Sequence, residues 1–402
     1  MLALLQETVA QSSIQPSIQS SLRAVELVAM TPNEGTNFLV QLLQWVGPPE
    51  WVPTWVIVLT AVGIGVGLVV GVASSVTLFS VWMERKVSGH IQCRYGPMYA
   101  GGWHGWAQTL ADGLKLFQKE DMIPIGADRV LFVLSPALVL GSIFGALAVM
   151  PISYDWYFAR MDLGVFAILA LTSTTTIGVV MAGWASNSKW SLYGAMRQAA
   201  QVVAYEIPFG VALMVPLIAL GTFSLLDASM LQREVFGWDC GMGWAIFQNP
   251  FCIPAFVIFW IAALAETKRA PFDLPEAESE LVAGFLTEFS GLRWSFFFME
   301  EYAAMFLMSI VAAVFWFGGF ESPVTALMRG TGLEGSILYS LVCFGTLVVK
   351  AFVGIFLMMW LRWTLPRVRI DQVMTMGYKY LTPLSLLCVL GAAFWEAFLF
   401  IL

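Results

Sequence analysis

The sequence predicts an all-α integral membrane protein, a bundle of about eight transmembrane helices with an amphipathic surface helix in the first cytoplasmic loop. Three observations carry this. Of 402 residues, 59% are apolar and only 12% are charged, with a mean hydropathy of +0.77; an average soluble domain is roughly 25% charged. Apolar stretches recur at about the 20-residue length that a spanning helix needs. These runs are continuous rather than alternating, which excludes a β-barrel, the other structure able to satisfy its backbone in lipid.

Residues 1–50 are expected to be a mobile amino-terminal extension, with residues 51–402 forming the membrane domain. The extension is rich in Gln and Ser (QETVAQSSIQPSIQSS) and lacks the basic start and long apolar run of a signal peptide. A short amphipathic piece falls near Asn37–Val46. Eight spans follow, at roughly Pro53–Met83, Val130–Pro151, Leu163–Ala185, Gln198–Phe223, Pro250–Ala265, Tyr302–Phe320, Ile337–Leu361 and Leu381–Leu402. The fifth is short unless Glu266 completes it. The odd-numbered loops hold fifteen Lys and Arg residues; the amino-terminal tail and the even loops hold four, Arg23, Arg160, Arg233 and Arg329. The positive-inside rule therefore places both termini outside and the odd loops in the cytoplasm.

Span one carries Gly63, Gly67 and Gly71. With no strand before them they are no dinucleotide fingerprint; their four-residue spacing predicts a smooth face for close helix packing. In the first loop Trp103, Trp106, Ala107, Leu110, Leu114 and Phe117 recur at helical spacing. They predict an amphipathic helix along the membrane surface, either a plain interfacial anchor or the border of an opening for a lipid-soluble molecule.

Five cysteines (Cys93, Cys240, Cys252, Cys343, Cys388) show no metal-ligand spacing, and the two histidines, His90 and His104, share one loop. No metal site is expected, and any haem or iron–sulfur group would belong to other chains. No basic stripe suggests nucleic acid.

The chemistry concentrates in carboxylates. Glu266, Asp273, Glu276, Glu278, Glu280, Glu288, Glu300 and Glu301, eight of the 27 acidic residues, fall within 36 positions. Pro275 followed by Glu276, Glu278 and Glu280 is a good helix start, but that does not account for Glu266, Glu300 or Glu301, at the edges of the spans. Glu206 lies inside span four, followed by Pro208. A charge at mid-bilayer costs roughly 2.5–3.5 kcal/mol on insertion scales, so such a residue usually faces a polar interior and serves function. Its alternative is a structural ion pair, with Lys350 of span seven as the candidate partner. Glu396 can snorkel to the outer interface. Clustered carboxylates raise one another's pKa and exchange protons as a coupled set. The residues alone thus indicate a polytopic protein with a cytoplasmic-side proton or cation pathway.

Several stretches together resemble one family. They are ERKVSGHIQCRYGP (Glu84–Pro97), LADGLKLFQKED (Leu110–Asp121), AGWASNSKWSLYGAMRQAAQVVAYEIP (Ala182–Pro208), the acidic loop almost in full, and LRWTLPRVRIDQVM (Leu361–Met374). The chain resembles, from about Trp55 to its end, the H subunit of bacterial NADH–quinone oxidoreductase, respiratory complex I. The resemblance implies a membrane subunit that joins the peripheral and membrane arms. It would help to form a quinone-binding chamber and couple quinone reduction to proton pumping in the cell inner membrane, with no complete active site of its own. Quinone is then the substrate, and FMN and iron–sulfur clusters belong to partner subunits. By position, Glu84, Arg85 and Arg269 match residues near the chamber. Glu206, Glu266, Asp273, Glu276, Glu278, Glu280, Glu288 and Glu301 match an acidic funnel.

Departures from the family pattern are few. Leu171–Val180 reads LTSTTTIGVV where some members carry a carboxylate, so a proton link there would pass through Thr172–Thr176 and water, or be absent. Cys93, Met98 and Thr109 replace the commoner Gln, Asn and Pro, and Phe285 and Phe289 stand where Tyr is usual. The related membrane component of an energy-converting hydrogenase, a stand-alone cation transporter and a purely structural anchor are the alternatives.

Overall fold

A computed structural model describes residues 54–401 except 155, 236–237, 277 and 334–335. The extension 1–50, with its amphipathic piece at Asn37–Val46, lies outside the described residues.

The chain opens with α1 (Thr54–Ile91), then a 3-10 turn at Trp103–Gly105 and α2 (Gln108–Gln118). Next come α3 (Arg129–Ala148), α4 (Gly164–Ala185) and α5 (Lys189–Leu220). A short α6 (Leu225–Leu231), an antiparallel pair of two-residue strands, β1 (Glu234–Val235) and β2 (Trp238–Asp239), and one turn, α7 (Ala245–Gln248), lead into α8 (Cys252–Glu266). The acidic loop holds α9 (Glu278–Leu281). Then follow α10 (Gly291–Trp316), α11 (Pro323–Gly330), α12 (Ile337–Thr364), α13 (Ile370–Thr375), a π-helical turn (Met376–Leu381) and α14 (Thr382–Ile401).

Seven helical segments among the described residues are long and apolar enough to cross a membrane: α1, α3, α4, α5, α10, α12 and the continuous run Ile370–Leu399. The fifth predicted span is α8, only 15 residues long. At 1.5 Å per residue it reaches about 22 Å, short of a hydrocarbon core of about 30 Å. It does end on Glu266.

The sequence placed the cores of the helices correctly and several of their ends too far inward. α1 runs on past Met83 to Ile91, α5 begins at Lys189 rather than Gln198, and α10 begins at Gly291 rather than Tyr302. The last segment begins at Ile370 rather than Leu381. Each overrun lies at an odd-loop end. Hydropathy marks where lipid ends, whereas a formed helix adds a residue at little cost. The helices therefore project together beyond the apolar layer and carry their charged residues into one shared region.

The centre of the bundle is α10, with 89% of its apolar window buried within the protein. Apolar transfer does not drive association between helices in lipid, so close packing and polar contacts carry it. Ala303, Met305, Leu307, Met308, Val314 and Phe315 supply the packing, all at the core.

The expected packing face is not used among the described residues of this chain. A Cβ added at Gly63, Gly67 or Gly71 would meet nothing within 4 Å. The buried stripe of α1 is instead Ala61, Gly65, Val69, Ala73, Thr77 and Ser80. Four-residue spacing marks a helical face but not which face another helix covers. The amphipathic helix is shorter than expected: α2 carries Leu110, Leu114 and Phe117 exposed, while Trp103 and Trp106 precede it, Trp103 in a separate 3-10 turn where His104 takes a left-handed φ of +55°.

Candidate functional site

The acidic loop is laid against α5 at a point where no side chain fits. A Cβ at Gly194 would lie 2.7 Å from Phe285 N, and one at Gly284, whose φ is +53°, would lie 1.7 Å from Pro275 O. Gln201 Nε2 donates to Ala265 O at 2.7 Å, fixing the end of α8 beside α5. These contacts bring the loop under the projecting ends of α1, α10 and α12.

Arg269 is the centre of the region. It is buried and donates through Nη1 to both carboxylate oxygens of Glu84, at 3.1 and 3.0 Å. Its Nε lies 2.6 Å from Glu301 Oε1. The Tyr302 hydroxyl donates to Glu84 Oε2 at 2.7 Å, and the Tyr302 ring centroid lies 4.3 Å from the guanidinium carbon. Arg362, from the end of α12, closes on the other oxygen of Glu84. Four segments distant in sequence thus meet on two carboxylates. A buried carboxylate persists as an ion only when it is paired and hydrogen-bonded, which is the arrangement here.

A second buried pair lies alongside. Lys268 Nζ donates to Glu300 Oε2 at 2.9 Å, and both side chains are buried. Burial disfavours the ammonium, but Glu300 outweighs it and holds the Lys268 pKa above the ordinary lysine value. The Glu266 carboxylate interacts electrostatically with Glu206, Lys268 and Glu300. Glu206 in turn contacts the Ser173 hydroxyl of α4. Charged side chains therefore follow one another from Glu84 through Arg269, Glu301, Lys268, Glu300 and Glu266 to Glu206.

Glu276 lies over this line, part-buried in the loop. Burial and then the neighbouring Asp273 push its carboxyl up to about 7, against the pull of Lys268 and Arg269. A raised pKa favours the folded state below the ordinary carboxylate range, and that contribution is lost as pH rises through about 7. Lowering the pH through this value should therefore add one protonated-carboxyl infrared band that is missing in Glu276→Gln. Exposed carboxylates, near 4, stay ionised over the same range. A band that persisted in the variant would remove Glu276 from the titrating set.

The remaining candidates lie at the edges. Asp273 pairs with Arg367 at 3.2 Å. Glu280 pairs with Arg197 at 2.5 Å, and that bond holds the exposed Glu280 carboxyl below its ordinary range. Glu288 makes none of the ion pairs or hydrogen bonds of the central line, and the side chain of Glu278 lies outside the described residues. Arg85 is not brought to the centre. It pairs with Asp112 of α2 at 2.5 Å, both half-exposed, because adjacent residues on a helix point about 100° apart.

The suggested ion pair between Glu206 and Lys350 is corrected. Lys350 Nζ donates instead to the carbonyls of Phe317, Gly319 and Glu321, at 2.7, 2.9 and 2.6 Å. These oxygens lie just past the end of α10, where carbonyls lack helical partners and the dipole is negative. Beside them is a second ionic centre. The Glu321 side chain is fully buried, accepts from Arg233 Nε at 2.8 Å and Thr325 Oγ1 at 3.0 Å, and pairs with Arg329. Glu396 accepts from the buried Asn249 at 3.0 Å.

Comparison with known proteins agrees with the sequence motifs. A family model described as NADH dehydrogenase matches residues 64–393. The H subunit of the NADH-quinone oxidoreductase of Chlorobaculum parvum is 42% identical over 347 residues, covering 86% of this chain and 93% of that protein. Its counterpart from Geobacillus kaustophilus is 41% identical over 357 residues, covering 89% of this chain and 99% of that protein. The chain belongs to this family. Rhodothermus marinus has a relative named NADH-quinone oxidoreductase subunit 8, which is 42% identical over 319 residues, 78% of this chain and 92% of that protein. The chain is thus a multi-pass membrane subunit of an NADH–quinone oxidoreductase complex, not a stand-alone transporter.

Motif reading left several members of this buried charged region out of the candidate site. Lys268, Glu300, Tyr302 and Arg362 all contact its buried carboxylates or pair beside them. Lys268 stands in the AETKR stretch, Glu300 in the acidic run and Arg362 in LRWTLP, so each was visible as a residue. Their pairing was not, because each reaches its partner across the tertiary fold. Phe285 and Phe289 pack among apolar side chains, Phe289 stacked on Phe132 with ring centroids 4.1 Å apart.

Proposed function

We propose that this subunit forms part of a quinone chamber with peripheral-arm partners and passes the effect of quinone reduction along its buried charged line toward the proton-pumping subunits. The single observation that carries this reading is the continuity of charged groups from Glu84 to Glu206, which links the projecting helix ends to the interior of a membrane helix. Arg269 supports a place beside the chamber. Its Nη2 is buried without a hydrogen-bond partner among the described residues, a donor available to a polar ligand. Glu84 and Arg85 belong to the same helix end. Arg85 would act through its hold on α2, whose exposed apolar side chains Leu110, Leu114 and Phe117 suit a lipid-facing rim.

Reduction of a quinone to its quinol consumes protons, and their withdrawal changes the charge that neighbouring carboxylates experience. Glu276 interacts with both Glu301 and Glu300, Glu300 with Glu266, and Glu266 with Glu206, closely enough for a change at one to shift the next. Asp273, Glu278, Glu280 and Glu288 would shape the field at the loop surface. FMN and iron–sulfur clusters would sit on partner subunits, and the membrane would be the cell inner membrane. Both termini would lie outside and the acidic loop in the cytoplasm, by the distribution of Lys and Arg.

Glu266→Gln keeps the shape of the side chain and removes its charge. Quinone-reductase and proton-pumping rates should fall together while the complex still assembles. Wild-type rates in the assembled variant would take Glu266 out of the path.

A further inference from the structure

Ser173 stands between two hydrogen-bond acceptors. Its Oγ contacts Glu206 Oε1 across the α4–α5 interface and lies 2.8 Å from Leu169 O, one turn back in its own helix. A serine hydroxyl has one hydrogen to give and can also accept. It cannot donate to both oxygens at once. When Glu206 is ionised, the Ser173 O–H points to the carboxylate. When Glu206 binds a proton, the carboxylic O–H donates to Ser173 Oγ, and the Ser173 O–H turns to Leu169 O. Every donor has an acceptor in both arrangements. The change needs only the proton on Glu206 and a rotation of one hydroxyl; no heavy atom moves.

The neighbouring hydroxyls do not share this position. Thr172 donates to Leu169 O at 3.0 Å, Thr174 to Ala170 O at 2.9 Å and Thr175 to Thr172 O at 2.7 Å, all within α4. Thr176 Oγ1 is buried without a hydrogen-bond partner among the described residues. The hydroxyls of Thr172, Thr174 and Thr175 therefore bond within α4 rather than to one another. Contact across to α5 is made at Ser173.

The geometry points to Ser173 as the positioning residue of Glu206, a hydroxyl rotor that holds the carboxyl group in one place whether or not it carries a proton. A group that must change charge at membrane depth loses a hydrogen bond in one of its two states unless its partner can both give and accept. This inference rests on the proposal that Glu206 exchanges protons during turnover, and it adds the residue that lets it do so without rearrangement.

The test is infrared difference spectroscopy on the purified complex, oxidised against reduced, with turnover measured on the same preparations. A protonated-carboxyl C=O band that is lost in Glu206→Gln belongs to Glu206. In Ser173→Ala that band should move to higher frequency. Turnover should fall about tenfold, the rate equivalent of one lost hydrogen bond to a charged group, with the apparent KM for quinone unchanged. Ser173→Thr keeps the hydroxyl and should restore both the band and the rate. A Ser173→Ala band at the wild-type position would overturn the rotor, as would the absence of any band lost in Glu206→Gln. Wild-type turnover in Glu206→Gln, with the band still moved by Ser173→Ala, would instead sink the coupling role of Glu206 and leave the rotor in place.

Discussion

Arg269→Ala should nearly abolish the assembled complex. Removing this side chain leaves Glu84 and Glu301 buried without the guanidinium that joins them, and takes the cation from the face of Tyr302. Breaking a buried ion pair by removing one partner costs about 3–5 kcal/mol, because the remaining charge stays desolvated. Two carboxylates are affected here, and Arg362 compensates only at Glu84. Arg269→Lys keeps the charge but loses the planar fork, so it should recover part of the loss. Adding Glu84→Gln to Arg269→Ala should also recover part of it by removing one stranded charge. The measurement is the amount of complex recovered from membranes and its quinone-dependent NADH oxidation. Wild-type yield in Arg269→Ala would mean that the four segments are held together by packing alone.

The second large effect is expected at the opposite end of α10. Glu321→Ala removes the carboxylate that binds Arg233, Arg329 and Thr325, and the Glu321 side chain is fully buried. The same cost of about 3–5 kcal/mol applies. The pattern should differ from that of Glu266→Gln. The yield of complex should fall steeply, while turnover per assembled complex stays at the wild-type value, since this centre stands apart from the charged line. Thermal unfolding of the solubilised complex should move to lower temperature. Normal yield with reduced turnover would reverse the assignment and make the Glu321 centre part of the coupling route. Lys350 belongs with this structural group, since its three carbonyl contacts fix the loop after α10.

The two ionic centres show how legibility depends on range. The acidic loop was conspicuous because its carboxylates are close in sequence, and the family motifs added Glu84 and Arg269. Glu321 carried no such signal. It is one acid beside a capping serine, and its partners Arg233 and Arg329 counted only as two bases in even loops. Lys350 was legible as a buried cation, yet the acid suggested as its partner by depth, Glu206, makes no pair with it; the lysine donates to the carbonyls of Phe317, Gly319 and Glu321. Glu206 itself was conspicuous by its depth, while Ser173, its partner, looked like one hydroxyl among five in a run.

The amino-acid sequence by itself determined the membrane class, the cores of the long helices, the amphipathic helix and the family. Those properties depend on residue type and periodicity, which are local and additive along the chain. Tertiary structure decided which charges pair, which face of α1 packs and where each helix ends. It turned a list of acids into a line by joining α1, the acidic loop, α10 and α12 on Arg269 and Glu84. Pairing in a low-dielectric interior depends on distances of a few ångströms between residues up to 278 positions apart, as between Glu84 and Arg362. No local pattern in the chain encodes those distances; they follow from how the helices pack.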